Sequence, residues 1–371
     1  MINESVFDFL IPVDFSLLNE DEDYRAGQIG HSIQQNSDVQ EANLVIIGCM
    51  EYRGQGIKKS PDGPNSIRRQ LYRLYHWHQD VKIADLGNVM VGDKLPDSYA
   101  ALQSVVQDLI SKGKKILIIG GSHDNTLAIY RAFASQKQII EATLVDALID
   151  IDRDARLASD NFLLEMLTTE PNFIKQFNLL GFQSYFTFPG LLEAIDKLRF
   201  DCVRVGRVQE RMEDIEPIIR SSRLLSFDIK SIAHAYCPVN TLSPNGFTGQ
   251  EACKLMQFAG MSSELEVACI FGFGQDDPQG MSSMQMAHMA WYFMDGIHKS
   301  LHEASLADHS GFNEFHTLCA EVDTVFLQSR HTGRWWMKMP DQSYAPCSYN
   351  DYLMASHNDL PERWLRLQER T

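Results

Sequence analysis

Three short stretches place groups capable of metal or acid–base chemistry directly after apolar runs. Ser122-His123-Asp124 follows KKILIIGG (114–121), Asp146 to Asp150 (DALID) follows ATLV, and Asp228-Ile229-Lys230 follows LLSF. His123 offers an imidazole, and Asp146, Asp150 and Asp228 offer carboxylates. An oxygen-rich donor set with one nitrogen suits a hard cation, manganese more than zinc. Carboxylates past strands also cap helices, and a single one is more often a cap than a ligand. Three strand ends agreeing in position favour a ligand set, but spacing alone does not separate the two.

Such residues need elements that bring them together. LVIIGCM (44–50), VKIADLG (81–87), KKILIIGG, IIEATLVDA (139–147), NFIKQFNLLGF (172–182), CVRVGRV (202–208), LLSFDIK (224–230) and LEVACIFGFG (265–274) read as strands or contain them. Helical spacing lies between most of them, including Ser66–His78, 97–112 and 123–136. Short continuous apolar strands alternating with amphipathic helices specify a parallel sheet covered on both faces. In such sheets ligands sit beyond the carboxyl ends of the strands, where these groups fall. Residues 1–42 read as an irregular extension and 43–371 as one α/β domain. Within the latter, 318–371 reads as an appendage: a hairpin around Thr332-Gly333, then helical segments within 348–357 and 361–369.

The chain has 371 residues, 44% of them hydrophobic, enough for a large core. Its net charge of −16 disfavours nucleic acid as a partner. Seven scattered cysteines without a CxxC pair suggest free thiols in a reducing compartment. The N-terminus lacks the pattern of a signal peptide, and no stretch is long and apolar enough to span a bilayer. The expectation is a soluble cytoplasmic protein without a membrane partner.

The metal-capable segments resemble the motifs of the arginase (ureohydrolase) superfamily. GGSHD (120–124) resembles Gly-Gly-x-His, VDALID (145–150) resembles Asp-Ala-His-x-Asp, and SFDIK (226–230) resembles Ser-x-Asp-x-Asp. Gly63-Pro64 with Ile67-Arg68, DLGNV (85–89) and NGFTGQEA (245–252) resemble further family segments, so the likeness covers roughly 42–300. SPNGFTGQEA (243–252), RWWM (334–337) and PCSYNDY (346–352) look closest to a formimidoylglutamase-like branch. The resemblance implies a three-layer α/β/α fold with a central, mainly parallel sheet, a small-molecule substrate and a homo-oligomer, a trimer or hexamer.

It also implies a two-manganese site that this sequence only half retains. The first ion's ligands would be His123, Asp146, Asp150 and Asp228, all present. The second ion would share Asp146 and Asp228, but its own His and Asp positions hold Leu148 and Lys230. Two further family positions look lost. SDNFLLEML (159–167) has no proton-shuttling His, and Gly272 stands where an amidine-gripping Glu belongs. Thr248, a substrate-side residue of the family, is kept. The expected cofactor is manganese or another divalent metal, at most one ion per chain or none, with the Lys230 ammonium replacing the second charge.

Two function classes follow. One is a metal-dependent hydrolase of a linear amidine C–N bond, formimidoylglutamase-like, with Asp150 or His123 orienting a water. The other is an inactive ureohydrolase-fold protein kept as a binding or assembly module. His302-Glu303 fails the HExxH pattern because Leu306 stands where the second His belongs, and His302, His309 and His316 read as surface residues. The methionines from Met281 to Met294 read as helix packing. Arg334-Trp335-Trp336 reads either as a ligand clamp or as hairpin packing.

Overall fold

Leu44, Val45, Ile46 and Ile47 are all fully buried, yet they belong to two different cores. Leu44 and Ile46 pack with the helices Gly63–Leu71, Met212–Arg220, Gly249–Met261 and Met281–Leu301. Val45 and Ile47 pack with Leu95–Ser111, Thr126–Ser135 and Phe162–Thr168. Alternate side chains of a strand point to opposite faces, so a continuous apolar run specifies a sheet buried on both sides. The result is the three-layer α/β/α arrangement that the sequence pattern demands. The computed structural model describes residues 6, 8–18, 23–35, 39–59, 61–197, 200–319 and 322–369.

Among these residues the central sheet contains β1 (Leu10–Ile11), β2 (Leu44–Cys49), β3 (Ile83–Val89), β4 (Lys115–Ile119), β5 (Ile140–Val145), β6 (Ile174–Phe182), β7 (Asp201–Arg204), β8 (Leu224–Asp228) and β9 (Val267–Phe271). Their spatial order is β1-β3-β2-β4-β9-β8-β5-β6-β7. Only β1 runs antiparallel to its neighbour. The order places β4, β9, β8 and β5 side by side at the centre, and the ends of β4, β8 and β5 carry the candidate ligands.

Several local expectations change. The helix expected over 66–78 spans Gly63–Leu71, because Tyr75 forms a backbone bridge with Gln28 instead of another helical turn. The strand expected over 202–208 stops at Arg204, and a helix starts at Val205. The N-terminal segment is less separate than its polar sequence suggests: Leu10 pairs with Val89, and Ile29 and Ile33 enter the core. The C-terminal sheet starts at Phe312, ahead of residue 318, in the order β10 (Phe312–Cys319), β11 (Val322–Ser329), β12 (Trp335–Lys338), β13 (Tyr344–Cys347). β10, FNEFHTLC, has no continuous apolar run and no strict alternation, a weaker signal than the buried runs of the main sheet.

The tryptophans of the hairpin are packed. Trp335 and Trp336 are both buried, and the Arg220 guanidinium lies 4.3 Å from the Trp336 ring centroid. Arg220 also donates to the Trp335 carbonyl at 2.8 Å, and Arg334 pairs with Glu303 at 2.8 Å. The Arg-Trp-Trp motif therefore fastens the small sheet to the ends of the helices that cover the main one. Cys49, Cys237, Cys253, Cys269 and Cys347 are buried free thiols. No described helix is long and apolar enough to cross a membrane.

Two early motifs meet in the core. Arg68, fully buried, donates to Asp85 at 2.9 and 2.8 Å, to Asn88 at 2.6 Å and to the Gly87 carbonyl at 2.9 Å. Tyr72 donates to the same Asp85 at 2.7 Å. Arg68 sits on the helix after β2 and Asp85 in β3, so this network locks the edge of the sheet to its covering helix.

Candidate metal centre

Strand register decides which side chains meet. Val145 lies opposite Phe227 and Asp228 lies opposite Phe271, so Asp146 and Asp228 emerge from adjacent strands at one level. Ile119 lies opposite Ile270, and the chain beyond β4 must turn back over β9 to bring His123 to them. Gly120 and Gly121 make that turn with φ of 78° and 82°. A Cβ on Gly120 would stand 2.7 Å from Pro64, and one on Gly121 would stand 2.7 Å from the Cys49 sulfur. Only glycine fits both the conformation and the space. A short 3-10 turn, His123–Asn125, then presents the imidazole.

His123 Nδ1 lies 2.7 Å from Asp146 Oδ2, 3.3 Å from Asp150 Oδ2 and 3.6 Å from Asp228 Oδ2. All four side chains are buried. The facing atoms are aimed at a common region but not along hydrogen-bond directions. Among the described residues, both His123 nitrogens and the Oδ2 atoms of Asp146, Asp150 and Asp228 lack a hydrogen-bond partner. The other oxygens of two of these carboxylates are anchored: Asp146 Oδ1 accepts from the Leu148 backbone at 3.0 Å, and Asp228 Oδ1 from the Lys230 backbone at 2.7 Å. Each turn thus fixes one oxygen and leaves the second directed inward. His123, Asp146 and Asp228 form a compact ligand-capable group, their donor atoms all within 4.8 Å of one another.

Electrostatics shows the strain of this arrangement. Burial opposes protonation of His123, yet the facing Asp146, Asp150 and Asp228 raise its pKa to about 10. Burial and the Asp146 charge push the Asp150 carboxyl upward, and burial does the same to Asp228. Asp146 goes the other way: burial opposes its ionisation, but the His123 contact holds it below the usual carboxylate range. Buried carboxylates without partners need a cation. Three oxygens and one imidazole nitrogen fit a hard divalent ion.

Lys230 is partly buried, and its ammonium is held in the charged form by Asp228 first, against burial, then by Asp146, Asp150 and Asp160. Among the described residues it makes no direct ion pair with these groups, so it acts on them through space. Asn240 holds the Lys230 loop by donating to the Lys230 and Ile232 carbonyls at 3.1 and 2.6 Å. Leu148 is partly buried and has no donor atom in its side chain. Gly272, at φ 85°, has room for nothing larger: a Cβ there would lie 2.7 Å from Asp228 Oδ1.

Thr248 is the N-cap of Gly249–Met261, accepting from the Glu251 backbone at 3.2 Å while Glu251 accepts from Thr248 N at 2.8 Å. Its hydroxyl proton remains available. Sequence reasoning missed three contributors. Asp160 adds a charge that Lys230 feels, Phe162 sets its ring 4.9 Å from the His123 ring, and Thr126 hydrogen-bonds Ser226 at 2.6 Å behind the ligands. Asp160 and Phe162 lie in the segment scanned for a histidine, but no spacing signal marks them. Ser226, two residues before Asp228, was inside a recognised motif.

Residues 42–294 match the model of a family described as the arginase family. The formimidoylglutamase of Lysinibacillus sphaericus is 26% identical over 194 residues, covering 48% of this chain and 60% of that protein. That of Klebsiella pneumoniae is 28% identical over 134 residues, 34% of this chain and 41% of that protein. The matches therefore span less than two thirds of these curated relatives. In three dimensions, the Trypanosoma cruzi formiminoglutamase crystallised with manganese(II) superposes with a TM-score of 0.65 at 19% identity, covering 72% of this chain and 98% of that one. The Bacillus subtilis formimidoylglutamase gives 0.65 at 15% identity, covering 75% and 95%. The structural likenesses show the fold.

Proposed function

This chain belongs to the arginase family, and from that premise we propose that it hydrolyses a C–N bond of a linear amidine, in the manner of a formimidoylglutamase, with at most one divalent ion per chain. One observation carries the reading: four buried side chains, His123, Asp146, Asp150 and Asp228, aim partnerless atoms at one region. Manganese is the first ion to test, because the donor set suits it and a similar structure was crystallised with it.

His123, Asp146, Asp150 and Asp228 would hold the ion. A bound divalent ion supplies Lewis acidity that lowers the pKa of water to a range useful near neutrality. The protein's own groups do the rest. Asp150, whose carboxyl burial pushes upward, and His123 orient the attacking water. Thr248 offers its hydroxyl to the substrate from the loop beside the Lys230 turn. Lys230 supplies positive charge where the family's second ion would sit. Three carboxylates facing one divalent ion and one ammonium are close to neutral, whereas a second ion would leave an excess of positive charge.

The test is a metal-loaded assay on N-formimidoyl-glutamate and simpler linear amidines, reading formamide and ammonia release together with elemental analysis. The expected result is product formation with no more than one tightly held ion per chain, lost in Asp146→Asn. Metal-loaded protein that releases nothing from any linear amidine would overturn the hydrolase reading and leave the binding or assembly role. Two tightly bound ions per chain would overturn the reduced centre alone.

A further inference from the structure

The helix Met281–Leu301 ends in a second cluster of metal-capable side chains, at the opposite end of the sheet from the buried centre. His298 and His302 are one helical turn apart on the same face. Asp80 approaches from the turn before β3, at the amino end of the strands. His298 Nδ1 is 2.9 Å from both Asp80 oxygens, and His302 Nε2 is 2.7 Å from Asp80 Oδ2. One donor atom from each of the three side chains lies within 4.8 Å of the others. These residues are partly or fully exposed, so an ion from solution reaches them directly.

The surroundings orient the ligands. His78 stacks on His298 with ring centroids 4.1 Å apart and is held through Nε2 by Asp295 at 2.8 Å. A fourth imidazole, His331 in the turn after β11, faces His302 at 6.3 Å between centroids. The helix C-terminus adds partial negative charge, which favours a cation. Two imidazole nitrogens and a carboxylate oxygen form a donor set for zinc or a neighbouring transition metal, in contrast to the oxygen-rich buried set.

We propose that Asp80, His298 and His302 form a surface transition-metal site, with zinc as the ion class it takes. The bound ion replaces the two imidazole protons that otherwise point at Asp80. It ties the end of one long helix to the turn before β3, a link across 218 residues of chain between Asp80 and His298. A ligand that binds only the folded chain raises its melting temperature.

The experiment uses the full chain stripped with chelator, then dialysed against zinc, in wild type and in the His298→Ala/His302→Ala double variant. The expected result is one fewer zinc per chain in the variant and a smaller zinc-induced rise in melting temperature. His78→Ala, which removes the ring stacked on His298, should weaken zinc binding without abolishing it. Equal zinc content and equal thermal shifts in wild type and double variant would overturn the proposal, leaving a carboxylate that only accepts hydrogen bonds from two imidazoles. If the double variant melts lower in chelator alone, Asp80→Asn, which keeps the shape and removes the charge, gives the same reading. Zinc content is independent of amidine hydrolysis, so this site and the buried centre stand or fall separately.

Discussion

Two buried charge clusters in this protein are built from similar groups and finished in opposite ways. Around Arg68, the guanidinium reaches Asp85, Asn65, Asn88 and the Gly87 carbonyl, and Tyr72 completes Asp85. Around His123, the atoms that face one another have no hydrogen-bond partner among the described residues. Both clusters belong to the same sheet and its covering elements, and both are buried. A satisfied buried ion pair is a structural fastening, because removing one partner leaves an uncompensated charge. A buried set of carboxylates that share one imidazole and leave their inner oxygens unpaired is a candidate cation site. Hydrogen-bond satisfaction, not burial or residue type, separates the fastening from the site.

The comparison makes predictions of decreasing size. Asp85→Asn should destabilise the protein by about 3–5 kcal/mol, since Arg68 then keeps its charge without a buried counter-charge. Urea unfolding measures this, and a loss below about 1 kcal/mol would erase the distinction. At the other cluster, Asp150→Asn in chelator should leave stability unchanged or slightly higher, because it removes one of several repelling carboxylates. With manganese the wild type should gain about 2.7 kcal/mol at an ion concentration 100 times Kd, and the variant much less.

A pH series on chelated protein sharpens the same contrast. His123 holds its proton up to about 10 in the fold, against an ordinary value of 6.5. A raised folded pKa means that its contribution is complete below about 6.5 and is lost as the pH rises toward 10. The melting temperature of chelated protein should fall through that window, and saturating manganese should flatten the fall. The remaining effects leave stability aside. The pair Leu148→His and Lys230→Asp should raise bound manganese toward two ions per chain by elemental analysis. Purified protein should release no urea from arginine in a colorimetric assay, because Gly272 provides no carboxylate to pair with a guanidinium.

Much of the site was legible before any coordinates, because metal chemistry restricts residue type and strand ends restrict position. GGSHD, VDALID and SFDIK each follow an apolar run, and all three reach the same edge of the sheet. The second cluster was not legible. His302 was read as an isolated surface residue because its partner carboxylate, Asp80, lies 222 residues away in sequence. The same distance problem hid the contribution of Asp160. The small C-terminal sheet was placed late for a different reason: a half-exposed strand such as β10 lacks the continuous apolar run that marks a buried one.

By itself, the sequence determined the layer architecture and supplied the candidate ligands. Runs apolar on both faces can only be buried between two helical layers, and Gly-Gly after β4 admits no other residue in its turn. The tertiary structure decided which of these groups face one another. Strand order sets β8 beside β5 and β9 between β8 and β4, and register levels Asp146 with Asp228. Neither order nor register is encoded locally, because every buried parallel strand presents a similar apolar run to its neighbours. Whether a buried carboxylate is a fastening like Asp85 or a candidate ligand like Asp228 depends on partners contributed by other strands, and those meet only in the folded chain.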